Sequence, residues 1–409
     1  MSKVFRQGLL IILAATSPPG LVLADTDSNF KLSGFGTLGY SCFSADHADF
    51  VLNLQPKGPG RTDQCTTNLD SLLAVQVDVN INEQLEAGLQ VTSDYNADRS
   101  HEPEFTMAQL RWAVTHNTML RFGRNHNPAF IHSDTRNVRF AMPWTRPPLE
   151  VYGLSPVYIQ DGIELLHEKN IGDWWMEMHF SITESNFENP RSNASGTDEV
   201  DVVDQYYAGL TLEKESMLLK ATYGQGKVTT SSPLLDFVLA SLTDQSLISD
   251  MALQDDMYQL ATVGLQYQTP DWLFVVEYGY RQVENSFFRD MQGAYLTIGR
   301  HFDKWMPYVT VARRWTSGPE FDNRAIGPFE NYLINDPQDG LLSASRFDTT
   351  SLSAGVSYQL FDSALIKLQA DWLKPDDNSW GLYTNHNDQY NFSTPDDELL
   401  ISLNFDFVF

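Results

Sequence analysis

Apolar and polar residues alternate one by one through much of this chain, in stretches of about ten residues separated by turn chemistry. Period-two alternation sends successive side chains to opposite faces of a strand, so each stretch predicts a strand with one apolar and one polar face. The first covers 30–40. The second sets Leu73, Val75, Val77, Val79 and Ile81 against Ala74, Gln76, Asp78 and Asn80, and the third sets Leu85, Ala87, Leu89 and Val91 against Glu86, Gly88, Gln90 and Thr92. The fourth and fifth, with Leu110, Trp112, Val114 and then Leu120, Phe122 on the apolar face, flank a turn at His116-Asn117. Further strands are predicted at 158–168, 174–182, 205–212, 217–225, 258–268, 272–280, 294–302, 306–315, 352–360, 364–372 and 399–409, sixteen in all. In the last, Leu399, Ile401, Leu403, Phe405, Phe407 and Phe409 share one side, and Leu400, Ser402, Asn404, Asp406 and Val408 the other.

The connections alternate in length. Short ones fall near Asn82, Asn117, Asn170, Lys214, Pro270, Asp303 and Asp362; long ones span 41–70, 93–104, 125–157, 185–204, 226–256, 316–346 and 374–397, and the one at 284–290 is intermediate. This predicts an all-β fold, a transmembrane antiparallel β-barrel of about 16 strands, apolar toward lipid and polar within. An even strand count lets the last strand close on the first and leaves no edge in lipid. The mean hydropathy of −0.30 does not argue against this, because half of each strand faces water. The 24 Phe, 17 Tyr and 9 Trp suit the aromatic girdles of such a wall. No stretch has 18 consecutive apolar residues, so no transmembrane helix is expected. Lys3 and Arg6 ahead of the apolar run Gly8–Ala15, then Ser17-Pro18-Pro19-Gly20 and the small-residue site at Val22-Leu23-Ala24, predict a signal peptide over 1–24, with a single barrel domain over 25–409.

The signal peptide, the alternating hairpins, the final Phe409 and the long connection after the fifth strand together resemble the general porins of Gram-negative outer membranes. That resemblance implies an outer-membrane channel for small hydrophilic solutes or ions, a homotrimer, and contact with membrane lipid and lipopolysaccharide. It also implies that the connection after strand five, Asn125 to Val157, folds inward as a constriction loop. Sixteen strands are too wide for side chains to fill, which leaves room for such a loop and for water.

Charge sharpens the picture there. The chain carries a net charge of −26, yet 121–150 holds Arg121, Arg124, Arg136, Arg139 and Arg146 against Asp134 and Glu150. Arg111 and Arg121 share the inward parity of their strands. Arg111, Arg121, Arg124, Arg136, Arg139, Arg146 and Glu150 are therefore the candidate constriction residues. A basic ring there favours anions. Acids facing the arginines across the lumen give a transverse field instead, and arginines spent on wall acids such as Glu86, Glu164 or Glu177 are anchors. Proline fixes φ, which makes Pro143-Trp144-Thr145-Arg146-Pro147-Pro148 stiff enough to hold the loop's shape.

Cys42 and Cys65 are expected to bridge within one loop in an oxidising compartment, the alternative being two free thiols. The acidic runs Asp198-Glu199-Val200-Asp201 and Asp396-Asp397-Glu398 read as solvated loops, or as divalent-cation ligands near the lipopolysaccharide. The stretch 233–253 is too apolar for a free loop and reads as a helix on the rim or a cover for a neighbouring subunit. The nine histidines are scattered and no Gly-x-Ser-x-Gly elbow occurs, so no catalytic residues are expected. Nor is a metal site, a cofactor or a nucleic-acid partner. The competing function is a surface receptor or adhesin using the long external loops.

Overall fold

The structure is a computed structural model that describes residues 29–52, 54–193 and 196–409; the expected signal segment lies outside the described residues. Sixteen long strands form the wall: β1 Phe30–Phe43, β2 Leu72–Asn80, β3 Leu85–Ser93, β4 Glu104–Thr115, β5 Thr118–His126, β6 Ile159–Ile171, β7 Trp174–Pro190, β8 Thr197–Lys214, β9 Met217–Ser231, β10 Asp256–Gln268, β11 Trp272–Val283, β12 Asp290–Arg300, β13 Trp305–Ser317, β14 Thr349–Phe361, β15 Ala364–Pro375 and β16 Glu398–Val408. Each pairs antiparallel with its neighbours in the chain, and β1 pairs with β16 from Phe35↔Val408 to Phe43↔Leu400, which closes the barrel. The predicted alternation holds on the wall. On β16, Leu399, Ile401 and Leu403 are exposed on the outside while Leu400, Ser402, Asn404 and Asp406 are fully buried within. Strands of this kind expose an apolar outer belt that only lipid covers favourably.

The closing seam has its own packing. The rings of Phe409 and Phe407 lie over Gly34 and Gly36 of β1, and a Cβ at either glycine would collide with them. Gly34 and Phe409 also exchange backbone hydrogen bonds of 2.9 Å in both directions.

Outside the belt the structure departs from the sequence reading. β7 and β8 run far past their predicted ends, so the connection between them shrinks to 191–196 and the acidic run Asp198–Asp201 lies on a strand, not in a loop. Val200 and Val202 are buried on one face of that hairpin. Asn186 across the ladder donates to Glu199 (3.1 Å) and Asp201 (2.7 Å) on the other. Alternation there was masked by the acids. The apolar stretch 233–253 forms two short helices, α2 Pro233–Ala240 and α3 Gln245–Met251, set off by Ser232 and Asp244 as N-caps. Cys42 and Cys65 form a disulfide. It ties a short strand, Cys65–Thr66, to the end of β1 across the pair Cys42↔Cys65, so one cysteine is on the wall and not in a loop.

Gly36→Val should destabilise the barrel by about 1–3 kcal/mol through overpacking at the seam, read as a lower urea midpoint of the heat-modifiable band on gels. Phe407→Ala in the same chain should restore part of the loss; an unchanged midpoint for Gly36→Val would show that the ring contact carries no closing energy.

Candidate functional site

The connection from β5 to β6, residues 127–158, turns into the barrel. It carries a short helix, α1 Leu149–Tyr152, begun at Pro148. One side of this loop is apolar and packs on the inner wall: Phe130, Trp144, Tyr152 and Leu154 form one buried cluster with Leu260, Val275 and Tyr295. Trp144 meets Tyr295 edge-on, with centroids 5.7 Å apart. Its indole N–H lies 3.0 Å from the Thr297 hydroxyl and 3.1 Å from that of Thr310. Gly293 lets the wall come close, since a Cβ there would strike the carbonyl of Glu150.

Irregular backbone in an enclosed space needs partners for its polar groups. Wall side chains supply them. Lys367 donates to the carbonyls of Arg139 (2.5 Å) and Trp144 (3.0 Å), Arg314 to those of Leu149 and Glu150, and Lys220 to that of Phe130 (2.8 Å). Glu277 accepts from the amide of Ile131 (2.8 Å) and Gln369 from that of Thr145 (3.0 Å). These contacts run from β9 round to β15, so the loop lies against seven of the sixteen wall strands.

An ionic anchor fixes the loop where the barrel closes. Asp70, just before β2, takes Arg139 on one oxygen and Arg146 on both, with Arg146 Nη2 to Oδ2 at 2.6 Å. Arg146 also reaches Asp371 (3.2 Å) and the hydroxyl of Ser402. Beside it Lys367 pairs with Asp406 at 2.8 Å, both fully buried. Burial alone pushes the Asp70 carboxyl up; Arg146 and Arg139 outweigh it and hold the group at about 2.

The wall from β2 to β6 is left facing the loop's other side. Arg111 bridges Asp78 and Glu86, the latter at 3.1 Å, and Arg121 pairs with Glu164 at 3.5 Å, both inside as their parity requires. Arg124 has the opposite parity, that of Leu120 and Phe122; it reaches the rim of the lumen and grips Asp161 at two points, 2.9 and 2.7 Å. Arg139 and Arg146 are 7% and 4% exposed and serve as anchors. Glu150 is buried against β14, where Ser351 donates to it; burial raises its carboxyl, and that hydroxyl partly offsets the rise. It therefore faces wall, not water, because α1 turns its side chain outward. Among the described residues, Arg136 alone of the six arginines has no carboxylate partner. Its guanidinium lies over the ring of Tyr158, 5.3 Å from the centroid, and burial pushes its pKa down.

Between the loop and the ends of β4 to β7 lies a cavity of about 390 Å³. Arg124, Arg136, Arg139 and Arg146 line it together with Asp94, Asp98, Glu104, Asp161 and Glu188.

The closed sixteen-strand barrel is similar to solved outer-membrane proteins. The anion-selective porin of Comamonas acidovorans superposes with a TM-score of 0.55 at 10% identity, over 93% of this chain and 99% of that one. The fold is that of a Gram-negative porin. OmpF of Salmonella typhi, solved with daunomycin, gives 0.54 at 12% identity over 94% and 99% of the two chains. The in-vitro folded trimer form of OmpT, an outer membrane protein of Vibrio cholerae, gives 0.51 at 13% over 94% and 100%. No protein-family model and no curated protein matches the sequence.

In this porin-type barrel the sequence reading found the inward loop and its arginines. It missed Asp70 as the anchor, since a residue just before a strand carries no parity signal. Lys367 and Asp371 were legible as charged residues on inward positions, though not their role. Asp70→Asn should strip Arg139 of its charge partner and leave Arg146 with Asp371 alone, at about 3–5 kcal/mol, and replace steady single-channel current with noisy, larger openings. The folded carboxyl sits below its ordinary 3.8, so the anchor is complete above that pH and is lost as pH falls toward about 2. Wild-type current should therefore stay steady down to pH near 4 and become noisy only below it, while Asp70→Asn is noisy throughout. Identical traces for the two proteins at neutral pH would remove Asp70 from the role.

Proposed function

We propose that the protein is a passive outer-membrane channel for small hydrophilic solutes, narrowed by the loop 127–158. One observation carries this: the wall is closed and apolar outside, while the loop packs on β9 to β15 and leaves polar, charged wall opposite. A gradient suffices to drive solutes through, and no catalyst is required. We read the protein as a trimer delivered by its N-terminal signal segment and seated among outer-membrane lipid and lipopolysaccharide; porins and outer-membrane proteins of the same fold, one of them recorded as a trimer, support that assembly.

An anion preference is the finer expectation of the basic segment. Pairing weakens it. Arg111, Arg121, Arg124, Arg139 and Arg146 each hold a carboxylate. Arg136 remains against the free acids of the cavity. The arrangement supports a transverse field with weak selectivity tilted toward cations. The receptor reading has less support, because external loops alone give no reason for charges inside the barrel.

Purified protein in planar bilayers should give stepwise ohmic currents, and a salt gradient should give a small reversal potential of cation-selective sign. Absence of steps would sink the channel. A clear anion-selective potential would keep the channel and restore the basic ring.

A further inference from the structure

The 390 Å³ cavity is within the size range of small-molecule sites, roughly 300–1,000 Å³. Its charges are not all spent. Arg139 and Arg146 are held by Asp70, and Arg124 by Asp161. Among the lining residues that leaves Arg136 as an arginine with no carboxylate, its guanidinium fixed on the Tyr158 ring by a cation–π contact. Among the described residues, Asp94, on the connection after β3, has no ion pair and no bond from another side chain. Its neighbours Glu104 and Glu188 line the same cavity, also without ion pairs among the described residues. Asp94, Arg136 and Tyr158 line the one cavity together, so a cation and a carboxylate without ion pairs share its wall.

An enclosed guanidinium without a counter-charge is costly, and so is an enclosed carboxylate. A plain anion would satisfy Arg136 and be repelled by the acids. A plain cation would satisfy the acids and leave Arg136 bare. Given a water-filled channel, we propose that this cavity binds small zwitterions of amino-acid type, the solute carboxylate on Arg136 and its ammonium on Asp94 with Glu104 and Glu188 behind. A planar carboxylate suits the guanidinium fork, and the apolar rim from Leu72 and Val157 tolerates a short side chain.

The test is calorimetric titration of alanine into the detergent-solubilised protein, beside N-acetylalanine, which keeps the negative end, and alaninamide, which keeps the positive one. Alanine should bind at least about tenfold tighter than either, since each control gives up one charge-assisted pair. Arg136→Gln should weaken alanine to the level of alaninamide, and Asp94→Asn to the level of N-acetylalanine, in protein whose heat-modifiable gel shift confirms a folded barrel. Equal affinities for the three solutes, or alanine binding indifferent to both substitutions, would overturn the site. Titration needs no current, so failed binding in a protein that conducts refutes the site alone, and binding in a protein that does not conduct refutes the channel alone.

Discussion

The structure depends on one constraint: a stretch of irregular backbone enclosed in a barrel must have its polar groups satisfied by the wall. Water and lipid cannot do this on the packed side of the loop 127–158. Lysine and arginine side chains of β9, β13 and β15 therefore reach its carbonyls, and Glu277 and Gln369 of the wall take its amides. The apolar side of the loop adds Trp144 and Tyr152 to a core that lies inside the barrel. A cylinder that would otherwise hold only water thus acquires an interior much like that of a soluble protein on one side, and keeps a wet, charged face on the other.

The anchor sits at the seam for a physical reason. Closure of the barrel brings β1, β15 and β16 together, and with them Asp70, Asp371, Asp406, Lys367 and Ser402. A buried carboxylate in that setting is tolerable only if paired. Asp70 meets two arginines from the loop, so closing the wall and seating the loop are coupled events. The Phe rings over Gly34 and Gly36 close the same seam from the lipid side.

The wall was legible because alternation is a local signal. Leu399 to Asp406 sort onto the faces their parity assigns, and so do Arg111 and Arg121. What failed was chemistry that depends on partners. Five arginines in thirty residues read as a basic ring, but the carboxylates that hold four of them lie at Asp70, Asp161, Glu164 and Asp371, on other strands and turns. Arg124 sits one parity step away from Arg121, and Glu150 turns to the wall on a helix of one turn. The extension of β8 was hidden because Glu199 and Asp201 made a strand look like a loop, although Val200 and Val202 alternate between them.

The central claim is that the loop has a wall side and a water side. Single cysteines at Arg136 and Glu150, treated with a small charged thiol reagent from outside, test it directly, the native pair being held as a disulfide. The account predicts rapid labelling at 136 with a change in ion current, and protection at 150 in the folded barrel. Equal labelling at both positions, or labelling at 150 with protection at 136, would contradict it.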